Sequence, residues 1–200
     1  MALLNFFSRL TYENILSPMI LMRSANNSMV LGTVNAIMGV GGILGGIIVS
    51  TGKVKANSAK MIYISATLSF MLGDILMGIG RNGIVWSVAG LMASIPIPFI
   101  NAGQMEIMYK NIPKDMQGRI FSVRNAIQFS TIPIAILLGG FLADSVFEPF
   151  MMLDNPITRF LKMSVGEGAG SGMAVMFLCT GILGTLFSII FYNRKDIHNL

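Results

Sequence analysis

The stretch that most limits this chain runs from Asn111 to Asp144, NIPKDMQGRIFSVRNAIQFSTIPIAILLGGFLAD. It opens with a charged turn, Lys114-Asp115-Met116-Gln117-Gly118-Arg119, and is then mostly apolar as far as Ala143. A helix of roughly 20 apolar residues spans the ~30 Å hydrocarbon core of a bilayer. A soluble core helix is usually shorter and keeps a polar face, whereas here the polar residues after Arg124 are few. Pro133 and the pair Gly139-Gly140 lie inside the run. Such residues are tolerated in membrane helices because neighbouring helices satisfy the loosened backbone.

Composition extends that inference to the whole chain. Only 12% of the 200 residues are charged and 54% are hydrophobic, against about 25% charged in a soluble domain. The sequence cannot supply a soluble surface, so the expected fold class is all-α integral membrane. The 22 glycines suit close helix approach in lipid and the 17 methionines fill irregular gaps. One cysteine, Cys179, and one histidine, His198, leave no disulfide and no metal spacing. No cofactor motif is present. The glycines between Gly166 and Gly170 lack the strand before and the Lys-Ser/Thr after that a nucleotide loop needs. The first residues lack the basic n-region of a secretory signal, and Arg9 and Glu13 interrupt any h-region.

Six transmembrane spans are expected, at about 2–22, 29–50, 61–80, 84–108, 119–143 and 173–192, in one bundle with a flexible outer loop over 145–171. Loop charge sets the orientation. Lys53, Lys55, Lys60, Lys110, Lys114, Arg119, Arg124, Arg194 and Lys195 fall on one side; Arg23, Arg81, Arg159 and Lys162 fall on the other. The positive-inside rule puts the first side, with both termini, in the cytoplasm. The net charge of +5 is this topology signal and implies no nucleic-acid partner.

Polar groups at membrane depth are the candidate functional residues, because each is costly there unless it meets a partner or a cavity. Arg9 and Glu13 share a helix face four residues apart: a wall of a transport pathway, or a self-neutralising pair near the cytoplasmic end. Asn101 and Gln104 lie on the fourth span. Asn125 and Gln128 lie three apart on the fifth, lining a polar path or bonding to a neighbouring helix. Gln104 and Glu106 end the fourth span at the cytoplasmic edge, where they read first as interface anchors and second as pathway groups. Asp74 is a coupling carboxylate or a group that reaches water near the outer end. Gly41/Gly45 and Gly42/Gly46 form two overlapping G-x-x-x-G registers, a helix-packing signal. No catalytic constellation appears, so no enzyme activity is expected.

Ile112-Pro113 followed by Gly118-Arg119-Ile120-Phe121-Ser122, then Pro133, then Gly139-Gly140-Phe141-Leu142-Ala143-Asp144, resembles the eleventh-helix region of major facilitator superfamily exporters. The closest group is the macrolide-efflux-type permeases. Phe147-Glu148-Pro149-Phe150-Met151 and the Gly166–Gly172 run into Met176-Phe177 are similar to the same group. Gly46 to Lys60 resembles a degraded form of the superfamily's Gly-x-x-x-Asp…Gly-Arg-Lys loop. Ser50 stands about where the aspartate belongs, so its ion pair does not carry over.

The resemblance implies a C-terminal six-helix half-bundle, with Met1 where the seventh helix starts, and a partner to complete it: an N-terminal half on the same gene or another chain, or a second copy. It implies proton-driven efflux of a drug-like or amphipathic small molecule by alternating access. The spans holding Arg9/Glu13, Gly41–Gly46, Asn101/Gln104 and Asn125/Gln128 would line the central cavity. Those holding Asp74 and Cys179 would face lipid, and Arg119 and Lys114 would sit at the cytoplasmic gate. The competing expectation is a membrane fragment or accessory subunit that transports nothing.

Overall fold

The computed structural model describes residues 2–52 and 57–193. Lys53, Lys55, Arg194 and Lys195, which carry part of the orientation argument, lie outside the described residues, as does His198. All regular structure among the described residues is helical. The chain opens with α1 (Ala2–Ser8), which runs into a widened π-helical turn, Arg9–Glu13, and then breaks before α2 (Leu16–Arg23). There follow α3 (Ser28–Ser50), α4 (Ser58–Ile79), α5 (Gly83–Asn111), α6 (Gln117–Met152), α7 (Pro156–Val165) and α8 (Ser171–Tyr192).

Five of these helices, α3, α4, α5, α6 and α8, are long and apolar enough to cross a membrane. The sequence leads one to expect a sixth at the N-terminus. That segment is instead two short helices, because Arg9, Glu13 and Asn14 fall together at its middle and the π turn dislocates the backbone there.

The helix starts follow from local chemistry. Asn27, Asn57 and Asn82 each stand just before a helix, and their side-chain oxygens accept from the free N–H groups of Met29 (3.0 Å), Ala59 (3.0 Å) and Val85 (2.9 Å). Asparagine is among the best residues for this duty. Pro96 interrupts α5 between Gly83–Ser94 and Ile97–Asn111, since it lacks an N–H and collides with the preceding turn. Further π turns interrupt α4 at Ser69–Asp74 and α6 at Ala143–Phe147.

The core forms where α2, α3, α4, α5 and α8 converge, around Met19, Ile20, Met77, Trp86 and Phe177, all buried. The Trp86 indole N–H donates to the Gly80 carbonyl at 3.0 Å, so the one tryptophan is satisfied at depth. On α3 the two glycine registers separate. Cβ atoms at Gly41 and Gly45 would run into Ser94 and the Ile95 carbonyl of α5, whereas Gly42 and Gly46 have no neighbour within 4 Å. The packing expected of Gly42 and Gly46 is therefore not made among the described residues: one face of α3 can meet α5, and the adjacent register is rotated off it. Gly139 and Gly140 do pack. The Asn14 amide reaches over them to donate to the Ile136 carbonyl at 2.8 Å, with Gly139 also lying on the Leu10 carbonyl. Pro133 is exposed.

The stretch 145–171 differs most from expectation. Rather than a flexible loop, it continues α6 to Met152, turns, and forms α7 before the glycines. Asn155-Pro156 supplies a helix start, with the Thr158 hydroxyl accepting from the Asn155 N–H at 2.9 Å. The glycine-rich turn is short, with left-handed φ of 95° at Gly166 and 84° at Gly170.

Arginines close the C-terminal end of α7, where carbonyls lack helical partners. Arg81 donates to the Met163 carbonyl at 2.6 Å and Arg23 donates to that of Val165. Burial, and then the neighbouring Arg81 charge, lower the Arg23 pKa from its ordinary value, while Glu148 acts in the opposite sense. Glu148 itself accepts from the Met173 N–H at 3.2 Å, at the start of α8. A carboxylate suits the positive end of a helix. Ile157, Phe160 and Met163 of α7 are exposed, as are Met152 and Leu153 just before it.

Candidate functional site

Besides a small apolar hollow of about 200 Å³ between α4 and α8, the described residues form two larger ones, of which one is polar. The larger, about 560 Å³, lies between α3 and α5 and is lined by Met29, Val30, Ile37, Ile84, Val88 and Leu91 with little polar relief. The smaller, about 280 Å³, lies where the N-terminal segment meets α4, α5 and α6. Recognition of anything but hydrocarbon needs hydrogen-bonding groups, so the smaller cleft is the candidate site.

Its walls follow from local structure. The N-terminal segment contributes Asn5, Ser8, Arg9, Tyr12 and Glu13, which recur at three- and four-residue spacing and so share one face. Arg9 Nη1 and Glu13 Oε1 are 3.1 Å apart, with the arginine side chain 17% exposed and the glutamate 51%. The pair is thus neutral overall, and its acid is the more open member. Beyond the Pro96 break, α5 contributes Asn101 and Gln104, one turn apart. Ser69 and Phe70 enter from the π turn of α4, and Gln128 from α6. Arg124 of α6 donates to Gln104 Oε1 and so ties α5 to α6 beside the cleft.

The structure thus brings Arg9, Glu13, Asn101, Gln104 and Gln128 to one cleft. Asn125 is exposed on α6 and is not among the lining residues. Lys114 and Arg119 are exposed, in and just after the turn between α5 and α6. Glu106 pairs with Lys110 at 2.5 Å, an exposed contact one turn apart. Sequence reasoning passed over Asn5, Ser8, Tyr12, Ser69 and Arg124. The first three were visible as an extension of the Arg9/Glu13 stripe, whereas Ser69 depends on the π turn, which has no sequence signature.

Of the two expectations for Asp74, the structure contradicts the one in which it reaches water near the outer end. Its helix does present lipid-type side chains on one face, Ile64 and Leu68, as α8 does with Leu186 and Ile190. Asp74 itself is 1% exposed and points inward, where the Thr180 hydroxyl of α8 donates to its Oδ2 at 3.0 Å. Gly181 makes the approach possible, since a Cβ there would stand 3.1 Å from that of Asp74. Among the described residues no group of three or more His, Cys, Asp or Glu side chains is placed to hold a metal ion.

Burial is uneven across the bundle. Of the most apolar window of α3 and of α6 only 17% is buried, against 44% in α4 and α8. α3 and α6 are thus the least covered of the five long helices. The chain matches no family model, no curated protein and no solved structure.

Proposed function

We propose that this chain is one six-span half of a secondary active transporter of the major facilitator type, exporting a drug-like or amphipathic compound by alternating access with proton coupling. The observation that carries the reading is the one-sided polar cleft. Charged, amide and hydroxyl side chains from four helical segments converge at the depth of apolar helices, where isolated polar groups are disfavoured. In this reading the sparsely buried α3 and α6 face a matching half, on the same gene, on another chain or in a second copy, and the substrate sits between the halves near the midplane.

The protein then resides in the cell's inner (plasma) membrane, with the Lys114 turn and both termini cytoplasmic and α7 outside. The N-terminal segment serves as the sixth span despite its break. Arg119 and Lys114 stand at the cytoplasmic mouth, exposed for contact with the other half. The resemblance of Gly118–Ser122, Pro133 and Gly139–Asp144 to the eleventh helix of such exporters supports the assignment.

The experiment is transport by lipid vesicles containing the chain, alone and with a candidate partner half, with and without a proton gradient. Gradient-dependent accumulation of an amphipathic dye is the expected result. No transport with any partner half would return the chain to the non-transporting alternative. Arg119→Ala is expected to lower transport with membrane insertion intact, and unchanged export at normal surface level would refute its gate role.

A further inference from the structure

Behind the cleft wall lies a carboxylate that the proposed pathway does not use. Asp74 closes the π turn Ser69–Asp74 and is 1% exposed. Thr180 serves its Oδ2 at 3.0 Å, while Oδ1 is buried without a hydrogen-bond partner. The Tyr12 hydroxyl is its other polar neighbour, close enough to act on it electrostatically; it too is buried and makes no hydrogen bond of good geometry. Among the described residues Asp74 is in no ion pair.

The groups around it are few. From α8 come Thr180 and Gly181, with the half-buried Cys179 next in sequence. From α5 comes Ala93, packed on Gly73. The N-terminal segment presents Tyr12, while its Arg9 and Glu13 bond to each other on the cleft side. An ionised carboxylate without a cation is costly in such surroundings. The two orphaned oxygens therefore call for a small positive ligand between or upon them.

We infer that Asp74 is a proton-binding site loaded from the cleft through Tyr12. Tyr12 is placed for this because it belongs to both environments. It lines the cleft, its ring stands edge-on to Phe177 at 5.3 Å, and its hydroxyl neighbours the carboxylate. Loading is a relay that needs a small movement of the Tyr12 ring: as the phenol closes on Asp74 Oδ1 its O–H passes the proton to the carboxylate, and the phenol oxygen takes one from a hydronium ion that enters from the cleft. Tyrosine ends neutral, the carboxylate becomes a carboxylic acid, and water remains. Both ends of the relay sit in π turns, Arg9–Glu13 and Ser69–Asp74, irregularities that recur at functional sites.

The inference rests on the transporter reading only for what the proton drives. The test is infrared difference spectroscopy of the full chain in lipid nanodiscs, taken between alkaline and acidic buffer and followed in time after a pH jump. The expected result is a carboxylic-acid carbonyl band that appears on acidification and is absent in Asp74→Asn. Tyr12→Phe should shift that band and slow its appearance about 100-fold, the scale of a positioned proton-transfer group. Thr180→Val should shift the band without slowing it. Should Asp74→Asn fail to fold, the Tyr12→Phe and Thr180→Val spectra decide alone. A band unchanged in both variants, or in Asp74→Asn, overturns the inference, as does a site that responds to sodium at constant pH. An intact, Tyr12-dependent band in a chain that transports nothing would uphold the proton site and sink the transporter reading.

Discussion

Substituting alanine at each of the four glycines of α3 tests the arrangement of the bundle directly. In a helix interior, alanine is favoured over glycine by about 0.8–1.0 kcal/mol. Gly42 and Gly46 have no neighbour within 4 Å, so Gly42→Ala and Gly46→Ala should realise that gain and leave the protein slightly more stable. At Gly45 the new methyl would collide with the Ile95 carbonyl oxygen, 3.1 Å from its carbon and 3.2 Å from the Pro98 ring. None of these atoms belongs to a side chain that can swing away, so α3 must retreat from α5. Overpacking of this kind costs about 1–3 kcal/mol. The propensity gain is common to both positions and cancels in the comparison. Gly45→Ala should therefore lie about 1–3 kcal/mol below Gly46→Ala. Gly41→Ala should fall between them, because its nearest obstacle is the Ser94 hydroxyl, a small group that can yield at the loss of its 2.7 Å bond to the Gly90 carbonyl. The assay is reversible unfolding in mixed micelles with increasing SDS. Gly45→Ala equal to or more stable than Gly46→Ala would refute the α3–α5 contact and the rotation of α3 derived from it.

Other expectations follow from the same structure. Gly46→Leu should leave stability nearly unchanged yet lower transport in vesicles if the open face of α3 meets a matching half; full transport would argue that this face touches only lipid. Glu148→Ala should cost about 0.5–2 kcal/mol, as loss of a helix cap does, and speed hydrogen exchange at Met173; unchanged exchange would show that the carboxylate does not hold that N–H. A tryptophan in place of Phe160 should be quenched by brominated lipid while the buried Trp86 is not. Equal quenching of both, or of neither, would contradict an α7 lying on the bilayer surface with Ile157, Phe160 and Met163 against lipid.

The sequence disclosed what depends on composition and spacing, and hid what depends on rotation. Long apolar runs located α3, α4, α5, α6 and α8 because length and hydropathy suffice for that. The spacing of Gly41, Gly42, Gly45 and Gly46 announced close packing. Choosing between two registers one residue apart, however, requires knowing where α5 lies. Arg9, Glu13, Asn101, Gln104 and Gln128 were found because polar residues stand out in apolar helices, and their convergence needed the structure. Asp74 reads from sequence as a coupling carboxylate or as a group that reaches water; at 1% exposure it does not reach water, and only the structure shows that the Thr180 hydroxyl of α8 meets it. The cap at Asn155-Pro156 and the apolar spacing of Ile157, Leu161 and Val165 were readable signs of α7. The nearby glycines obscured them by making the whole stretch look like a loop.

Whether the cleft is a watery recess within a membrane-spanning bundle is best measured by thiol accessibility. In a Cys179→Ser background, single cysteines at Asn101 and Gln128 would be compared with cysteines at Leu68 and Leu186, in sealed vesicles treated with a charged, membrane-impermeant thiol reagent. The account predicts that the cysteines at Asn101 and Gln128 react and those at Leu68 and Leu186 do not. Equal reactivity at all four positions, or reaction at Leu68 and Leu186 alone, would contradict it.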